Sequence, residues 1–135
     1  MNPKLFSLII FFTVFLSFVL SQENKINCDS LANLYSTNRG FIAIEKIPEP
    51  IIPIEKIQSE FESLINPNEK YENIFVRLTV DTLGIVRCLE ILKGNNNYID
   101  TIAINYLSGL RFIPAEHRGR RIICPISFPL RGNSN

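Results

Sequence analysis

The sequence has little of what catalysis, metal binding or nucleic-acid binding requires. It contains one histidine, and its 14 Lys and Arg residues are balanced by 13 Asp and Glu. Proteins that bind phosphate backbones need a basic surplus, so we expect no nucleic-acid partner. The sequence also shows no phosphate-binding loop, no nucleophile elbow and no close-spaced pair of metal ligands. We therefore expect neither an enzyme nor a protein with a cofactor or a small-molecule substrate.

The polar residues that remain have structural interpretations. His117 lies in a predicted turn, which favours an exposed imidazole over a general base. The one basic cluster consists of Arg118, Arg120 and Arg121. It is typical of a solvated hairpin rim, and an anion or headgroup site is the alternative.

Charge is almost absent from the first 22 residues. Lys4 is the only charged residue there, and a long apolar run follows it. This pattern is typical of a secretory signal peptide over residues 1–21, and we expect cleavage close to Ser21. The alternative is a short membrane anchor, since about 18 uncharged residues are near the lower limit for a span. Either interpretation predicts an exported protein.

The lead-in, residues 22–70, combines an extended arm with a helix. Pro48 and Pro50, together with Pro53 directly after it, favour an extended path for the arm, Phe41 to Ile52. Pro53 suits the first turn of a helix that continues to Ile65. The helix is indicated by apolar residues at helical spacing, namely Ile54, Ile57, Phe61, Leu64 and Ile65.

The second half of the chain, residues 71–131, has the clearer periodicity. Alternating apolar residues predict strands from Asn73 to Asp81 and from Ile85 to Leu92, joined by a turn that contains Gly84. Helical spacing predicts a helix from Tyr98 to Gly109. A last strand is predicted from Arg120 to Leu130.

The element order, strand, strand, helix, strand, limits the topology. Because the first two strands form a hairpin and the helix returns the chain, the third strand is antiparallel to the first. We therefore predict an α+β fold with a three-stranded antiparallel sheet in the order 2-1-3 and a helix packed on one face. In that order Cys88 and Cys124 are about 10 Å apart, too far for a disulfide bond.

Three cysteines in an exported chain allow one disulfide bond and one free thiol. The predicted separation of Cys88 and Cys124 leaves Cys28 as one end of any bond. The sequence does not decide whether Cys28 pairs with Cys88 or with Cys124. A buried free cysteine packs as a small hydrophobe, which is the alternative for each strand cysteine.

The last strand is predicted to lie at an edge of the sheet. Its inner row is apolar and consists of Ile122, Cys124, Ile126 and Phe128, whereas Pro125 and Pro129 share the opposite row. Proline has no N–H to donate, so this row is expected to face away from the neighbouring strand. The outward donors that remain are the backbone N–H groups of Arg121, Ile123, Ser127 and Arg131. We predict these four residues as the edge that binds an extended peptide.

Short motifs in residues 71–130 carry a family resemblance. They are Val80-Asp81 with Gly84, I-L-K-G at 91–94, I-D-T-I-A-I at 99–104, R-F-I-P-A at 111–115, Gly119, and C-P-I-S-F-P-L at 124–130. In order and spacing this series resembles the C-terminal domain of TonB, the energy transducer of Gram-negative envelopes. Leu110 departs from the family, which tends to have an aromatic residue before Arg-Phe.

The resemblance implies a module in the periplasm or cell envelope of a Gram-negative bacterium. Its last strand would pair with the N-terminal segment of an outer-membrane receptor, in TonB-dependent transmembrane transport. One alternative is a structural or interaction domain, with no transport role, whose edge is covered by the Phe41 to Ile52 arm or by a second copy in a homodimer. Another is a short-spacer energy transducer, anchored in the inner membrane if the leader is retained.

Overall fold

A computed structural model describes residues 44–134, which form an α+β fold with two helices and antiparallel sheets. This confirms the predicted fold class. The elements, in chain order, are β1 (Glu49–Pro50), α1 (Ile54–Ser63), β2 (Ile74–Val80), β3 (Val86–Lys93), α2 (Asn97–Ser108), β4 (Phe112–Ile113), β5 (Ala115–His117), β6 (Arg120–Ile122) and β7 (Cys124–Leu130).

The main sheet has β2 at its centre, with β3 and β7 antiparallel on either side. One side-chain row of β2 is fully buried and the other faces away from the core. We call these two surfaces of the sheet the inner face and the outer face. The inner row of β2 consists of Ile74, Val76, Leu78 and Val80, and the outer row consists of Phe75, Arg77 and Thr79.

Both helices bury their apolar sides in the same core as the inner face. α1 contributes Ile57 and Phe61, which are fully buried. The Phe61 ring meets Tyr71 edge-on at a centroid distance of 5.8 Å and also contacts Tyr106 of α2 at 6.3 Å. Aromatic pairs in this arrangement add about 0.5–1.5 kcal/mol to the burial of their surface. Phe61 therefore joins the lead-in helix to the core.

The predicted helices and the hairpin are confirmed, with small shifts at their ends. α2 begins after Asn96, whose side chain accepts a hydrogen bond from the N–H of Ile99 at 2.9 Å. This contact caps the helix, because it satisfies one of the N–H groups that the first turn leaves unpaired. In the hairpin between β2 and β3, Gly84 has φ 78°, a conformation that favours glycine.

The prediction of one strand from Arg120 to Leu130 was wrong at Ile123, where the chain leaves strand geometry. The first part, β6, pairs with β5 across a tight turn in which Arg118 and Gly119 both have positive φ, 50° and 70°. Two successive positive φ values are typical of a type I′ hairpin turn, whose twist matches that of paired strands. The residues before Ile123 thus pair with β5 in a local hairpin, whereas the residues after Ile123 pair with β2.

The described part of the arm, residues 44–52, does not cover β7. β1 pairs with β4, and Lys46 exchanges backbone hydrogen bonds with Glu116 of β5 at 3.2 and 3.0 Å. The Lys46 ammonium also contacts the Glu116 carboxylate at 2.9 Å. The alternative in which the arm covers the edge of the last strand therefore does not hold for these residues. Residues 41–43 of the arm lie outside the described range, as do the leader and Cys28.

Gly84 and Gly119 form a matched pair for testing the hairpin turns. Both have positive φ, but a Cβ on Gly84 would collide with the carbonyl oxygen of Phe112, whereas a Cβ on Gly119 meets nothing within 4 Å. We expect Gly119→Ala to cost about 1 kcal/mol, the usual cost of a positive φ. Gly84→Ala should cost roughly 3 kcal/mol or more, because the backbone must also move. Urea denaturation of both variants measures the difference, and equal losses would contradict the close approach.

Asp81 closes the hairpin between β2 and β3 as a buried carboxylate. It accepts hydrogen bonds from the N–H groups of Leu83 and Ile85, each at 2.9 Å, and pairs with Arg87 at 2.7 Å. A register shift in β3 next to Arg87 accompanies this contact. Burial opposes ionisation, but the hydrogen bonds from Ile85, Arg87 and Leu83 outweigh it, so the pKa of Asp81 is lowered.

The lowered pKa of Asp81 predicts a loss of stability in acid. A carboxyl group with a depressed folded pKa stabilises the protein above its unfolded pKa of about 3.9, and this contribution disappears as the pH falls through the folded pKa. Asp81→Asn should therefore be less stable than the parent at pH 7, and the gap should narrow below pH 4. Urea denaturation at pH 7, 5 and 3 tests this. Arg87→Gln is the companion variant, and a gap that is constant with pH would contradict the assignment.

Candidate strand-docking edge

β7 presents one open backbone edge. All seven of its residues pair with β2, from Cys124 opposite Val80 to Leu130 opposite Ile74. Within residues 44–134, no strand pairs with its other side. An unpaired strand edge displays hydrogen-bonding groups that can accept an additional strand.

The prolines fix which backbone groups of β7 point outward. In an antiparallel pair, residues alternate between positions that bond to the neighbour and positions that do not. Pro125 and Pro129, which have no N–H, lie opposite Thr79 and Phe75, and Ser127 lies between them. We assign all three to the non-bonded positions, because a proline at a bonded position would lose a ladder bond. The edge therefore displays three carbonyl groups but a single N–H, that of Ser127.

The side chains of β7 follow the same alternation. Pro125, Ser127 and Pro129 are exposed, whereas Cys124 and Phe128 are buried in the core. The predicted inner row is thus confirmed for these two, and its other members, Ile122 and Ile126, are half-buried. The Phe128 ring packs edge-on against Phe112, with the ring centroids 6.3 Å apart. This contact holds β7 against the core on the inner face.

The structure separates the four predicted edge residues. Ser127 lies at the centre of β7, whereas Ile123 lies between β6 and β7, and Arg121 belongs to β6, opposite Glu116. Because the backbone of Glu116 bonds to Lys46 on its other side, Arg121 occupies a non-bonded position of the hairpin and its N–H faces outward. The backbone N–H groups of Arg121 and Ser127 each face away from the neighbouring strand, but the two residues lie in different strands of different sheets.

Arg131 is not a free donor, which corrects its predicted role. Its backbone N–H donates to the side-chain oxygen of Gln58 at 3.0 Å, and the Gln58 amide donates to the Arg131 carbonyl at 3.0 Å. The amide group of Gln58 thus pairs with the chain at the end of β7 as a neighbouring strand would. Gln58 lies in α1, 73 residues earlier, and nothing in the sequence pattern indicates this contact.

The basic cluster lies at the end of the β5–β6 hairpin. Arg118, Arg120 and Arg121 are exposed, in agreement with the hairpin rim predicted for them. The prediction that His117 is an exposed turn residue was wrong, because it is half-buried at the end of β5 and takes part in an interaction of its own. Among the described residues, no group of three or more His, Cys, Asp and Glu side chains is arranged to hold a metal ion.

Two tyrosines have shifted pKa values, and both serve the packing of the helices. Burial, together with a 2.8 Å hydrogen bond to Glu60 of α1, raises the pKa of Tyr106 to about 12. Burial also raises the pKa of Tyr71, which packs on Phe61. Both phenols are therefore neutral at physiological pH, and the Tyr106–Glu60 bond joins α2 to α1.

The two strand cysteines lie on opposite faces of the sheet. Cys124 is a buried free thiol opposite Val80 on the inner face, and burial raises its pKa. Cys88 lies opposite Thr79 on the outer face and is disulfide-bonded. A bond between Cys28 and Cys124 is thus excluded, whereas a bond between Cys28 and Cys88 stays a prediction.

The Gln58 contact predicts a specific change at the end of β7. Gln58→Ala removes both hydrogen bonds to Arg131, so we expect the amide of Arg131 to exchange with solvent at least tenfold faster. The amide of Phe128, which faces β2, should keep its exchange rate. Hydrogen exchange measured by NMR distinguishes the two positions, and uniform acceleration would indicate general destabilisation instead.

No helix among residues 44–134 is long and apolar enough to cross a membrane. Comparisons with protein-family models, with curated proteins and with solved structures found no match.

Proposed function

We propose that the protein is a binding module that takes up an extended peptide by strand addition at β7. The observation that carries this proposal is the open edge of β7. The described part of the arm does not lie beside that edge, because the arm pairs with β4 and β5. Strand addition is a common mode of peptide recognition, in which backbone hydrogen bonds supply affinity and side-chain contacts supply specificity.

The partner we propose is the N-terminal segment of an outer-membrane receptor, as the resemblance to the TonB C-terminal domain implies. The order β3-β2-β7, with α2 packed in the core beneath it, is compatible with the ββαβ arrangement expected from that family. The proposed location is the periplasm or cell envelope. A role in energy transduction additionally requires that residues 1–21 are retained as a membrane anchor, the alternative to a cleaved signal peptide.

The prolines define what kind of peptide fits this edge. Pro125 and Pro129 can accept hydrogen bonds through their carbonyl groups but cannot donate. Each missing donor removes a ladder bond worth about 1 kcal/mol net. The edge therefore favours a peptide whose N–H groups meet the three outward carbonyls, and it requires a single carbonyl, opposite Ser127. A proline in the peptide costs no ladder bond at the alternate positions, whose backbone groups face away from β7.

The same prolines support a second candidate function. Proline on an edge strand is a common device against edge-to-edge association, so β7 can equally protect a structural or interaction domain. A homodimer, in which a second copy covers β7, is the other form of a structural or interaction domain. It differs from peptide binding in its dependence on protein concentration, which sedimentation measures directly.

Ser127 and Pro125 allow the backbone edge to be tested in both directions. Ser127→Pro removes the central outward N–H, so peptide affinity should fall about fivefold, the equivalent of about 1 kcal/mol. Pro125→Ala restores a donor and should raise the affinity by a similar factor. The measurement is a ¹⁵N NMR titration with synthetic peptides from the N-terminal segments of outer-membrane receptors. The amides of Ile126 and Phe128 report on every variant, because Ser127→Pro has no amide hydrogen at position 127.

Ser127→Ala is the matched control, because it removes the hydroxyl group and keeps the backbone N–H. It should bind like the parent. Equal losses in the alanine and proline variants would contradict backbone pairing. No amide shifts at millimolar peptide, together with a monomer in sedimentation, would favour the protected edge, and shifts that grow with protein concentration alone would favour the homodimer.

A further inference from the structure

The two helices within residues 44–134, α1 and α2, do not cover the outer face of the main sheet, because they pack in the core with the inner face. The row next to the β2–β3 hairpin runs from Cys88 through Thr79 to Pro125. The next row contains the Arg77–Glu90 ion pair, at 3.2 Å, and the row beyond it contains Phe75 beside Pro129. Thr79 is only 7% exposed although it points away from both helices, whereas Phe75 is 39% exposed. The outer face is thus partly apolar, and Thr79 on this face is shielded from solvent.

The disulfide bond at Cys88 identifies what is attached to this face. Cys124 is a free thiol in the core, and the sequence contains three cysteines. We propose that Cys88 pairs with Cys28, and that this bond holds the segment of residues 26–39 against the outer face as an internal cover. The segment proposed to cover the outer face therefore belongs to this chain. The inference does not rest on strand addition, because the face and the β7 edge are different surfaces.

The length of the chain permits this attachment. Lys46 is held at Glu116 of β5, and residues 29–43 separate Cys28 from the first described residue. About 15 extended residues reach roughly 50 Å. The strands of the main sheet have seven or eight residues and are about 25 Å long. The segment can therefore reach Cys88 and still lie along the sheet.

The composition of the segment suits an apolar face. It contributes Ile26, Leu31, Leu34 and Tyr35, within a stretch that otherwise carries polar residues. Contact of such side chains with Phe75 and the two prolines of β7 would remove apolar surface from water on both partners. This contact area is too small to hold the segment by itself. The covalent bond compensates for the weak affinity, because it keeps the segment at a high effective concentration beside the face.

Formation of the bond requires an exchanging disulfide, on a protein or a small molecule, as the oxidant. The thiolate of one cysteine attacks that disulfide and forms a mixed disulfide, releasing one thiol. The second cysteine then displaces the other thiol. The two protein thiols lose two electrons and two protons, and the oxidant gains both as two thiols. An oxidising compartment outside the cytoplasm provides such oxidants.

Trypsin separates the three cysteines, so the pairing can be read directly. Cleavage yields peptides of residues 26–39, 88–93 and 122–131, with one cysteine each. From full-length protein exported to the periplasm and purified without reductant, we expect a species joining 26–39 to 88–93 that disappears on reduction. Alkylation should label the 122–131 peptide only after unfolding, because Cys124 is buried.

Two variants separate the pairing from accidental oxidation. Cys124→Ser should retain the joined species. Cys28→Ser should abolish it and make Cys88 available to alkylation. A species joining 88–93 to 122–131, a dimer of 88–93, or free Cys28 and Cys88 in freshly exported protein would overturn the proposed pairing.

The cover itself is tested by comparing the two faces. Thr79 and Val80 are adjacent in β2 but point to opposite faces. In the double variant Cys28→Ser, Cys88→Ser, the methyl group of Thr79 should gain contact with a soluble paramagnetic probe, whereas the methyl groups of Val80 should not. If both threonine and valine keep the protection of the parent, the segment does not cover the face. If both lose it, the variant has lost its fold, and mild reduction of the parent protein then repeats the comparison.

Discussion

The pairing of β2 on both sides is the constraint on which the rest of the structure depends. Each of its seven residues has a partner in β7, and its other side is paired with β3. Because successive side chains of a strand alternate, this single strand defines both faces of the sheet. The inner face is fixed by four buried apolar residues of β2, so a slip of one residue would expose all of them. The helices, the hairpin turns and the free edge are arranged around that register.

Proline adds a second constraint, which acts on direction rather than on burial. With Pro125 and Pro129 in one row, β7 can pair with β2 only through its other row. The same choice of row buries Cys124 and Phe128. Backbone chemistry and side-chain burial therefore select the same register, and this agreement allows an edge strand with two prolines to be well defined. It also leaves an edge that accepts more hydrogen bonds than it donates.

Much of the fold could be predicted because its signals are local. The alternation in residues 74–80, the turn at Gly84 and the helical spacing before Gly109 each lie within a short window. The β1–β4 pair, the β5–β6 hairpin and the break at Ile123 could not be read in this way. They involve strands of two or three residues, too short for a period to be visible, and β1 and β4 are more than 60 residues apart.

The candidate site shows the same division. Ser127 and the two prolines follow from parity, which a sequence displays directly. The prediction for Arg131 was wrong because its hydrogen-bond partner, Gln58, belongs to a different element 73 residues away. The sequence around a glutamine on a helix does not indicate which backbone group its amide binds. Contacts of this type depend on how α1 docks, which is set by Phe61 in the core. The backbone donors at an edge can thus be counted from the sequence. The sequence does not show whether another element already bonds to them.

The two ends of β7 limit the edge differently, and this bears on what can dock there. At Arg131 the Gln58 amide already occupies the backbone, whereas at Ile123 the chain turns into the β6 hairpin with its exposed arginines. An added strand would thus be confined to about the length of β7, and any extension beyond it would meet three arginines at the β6 end but Arg131 alone at the other end. Since no comparable basic cluster follows Leu130, an acidic residue at one end of the peptide would favour one orientation over the other. Backbone geometry alone permits either direction of pairing, so at this edge the choice of orientation falls to charge.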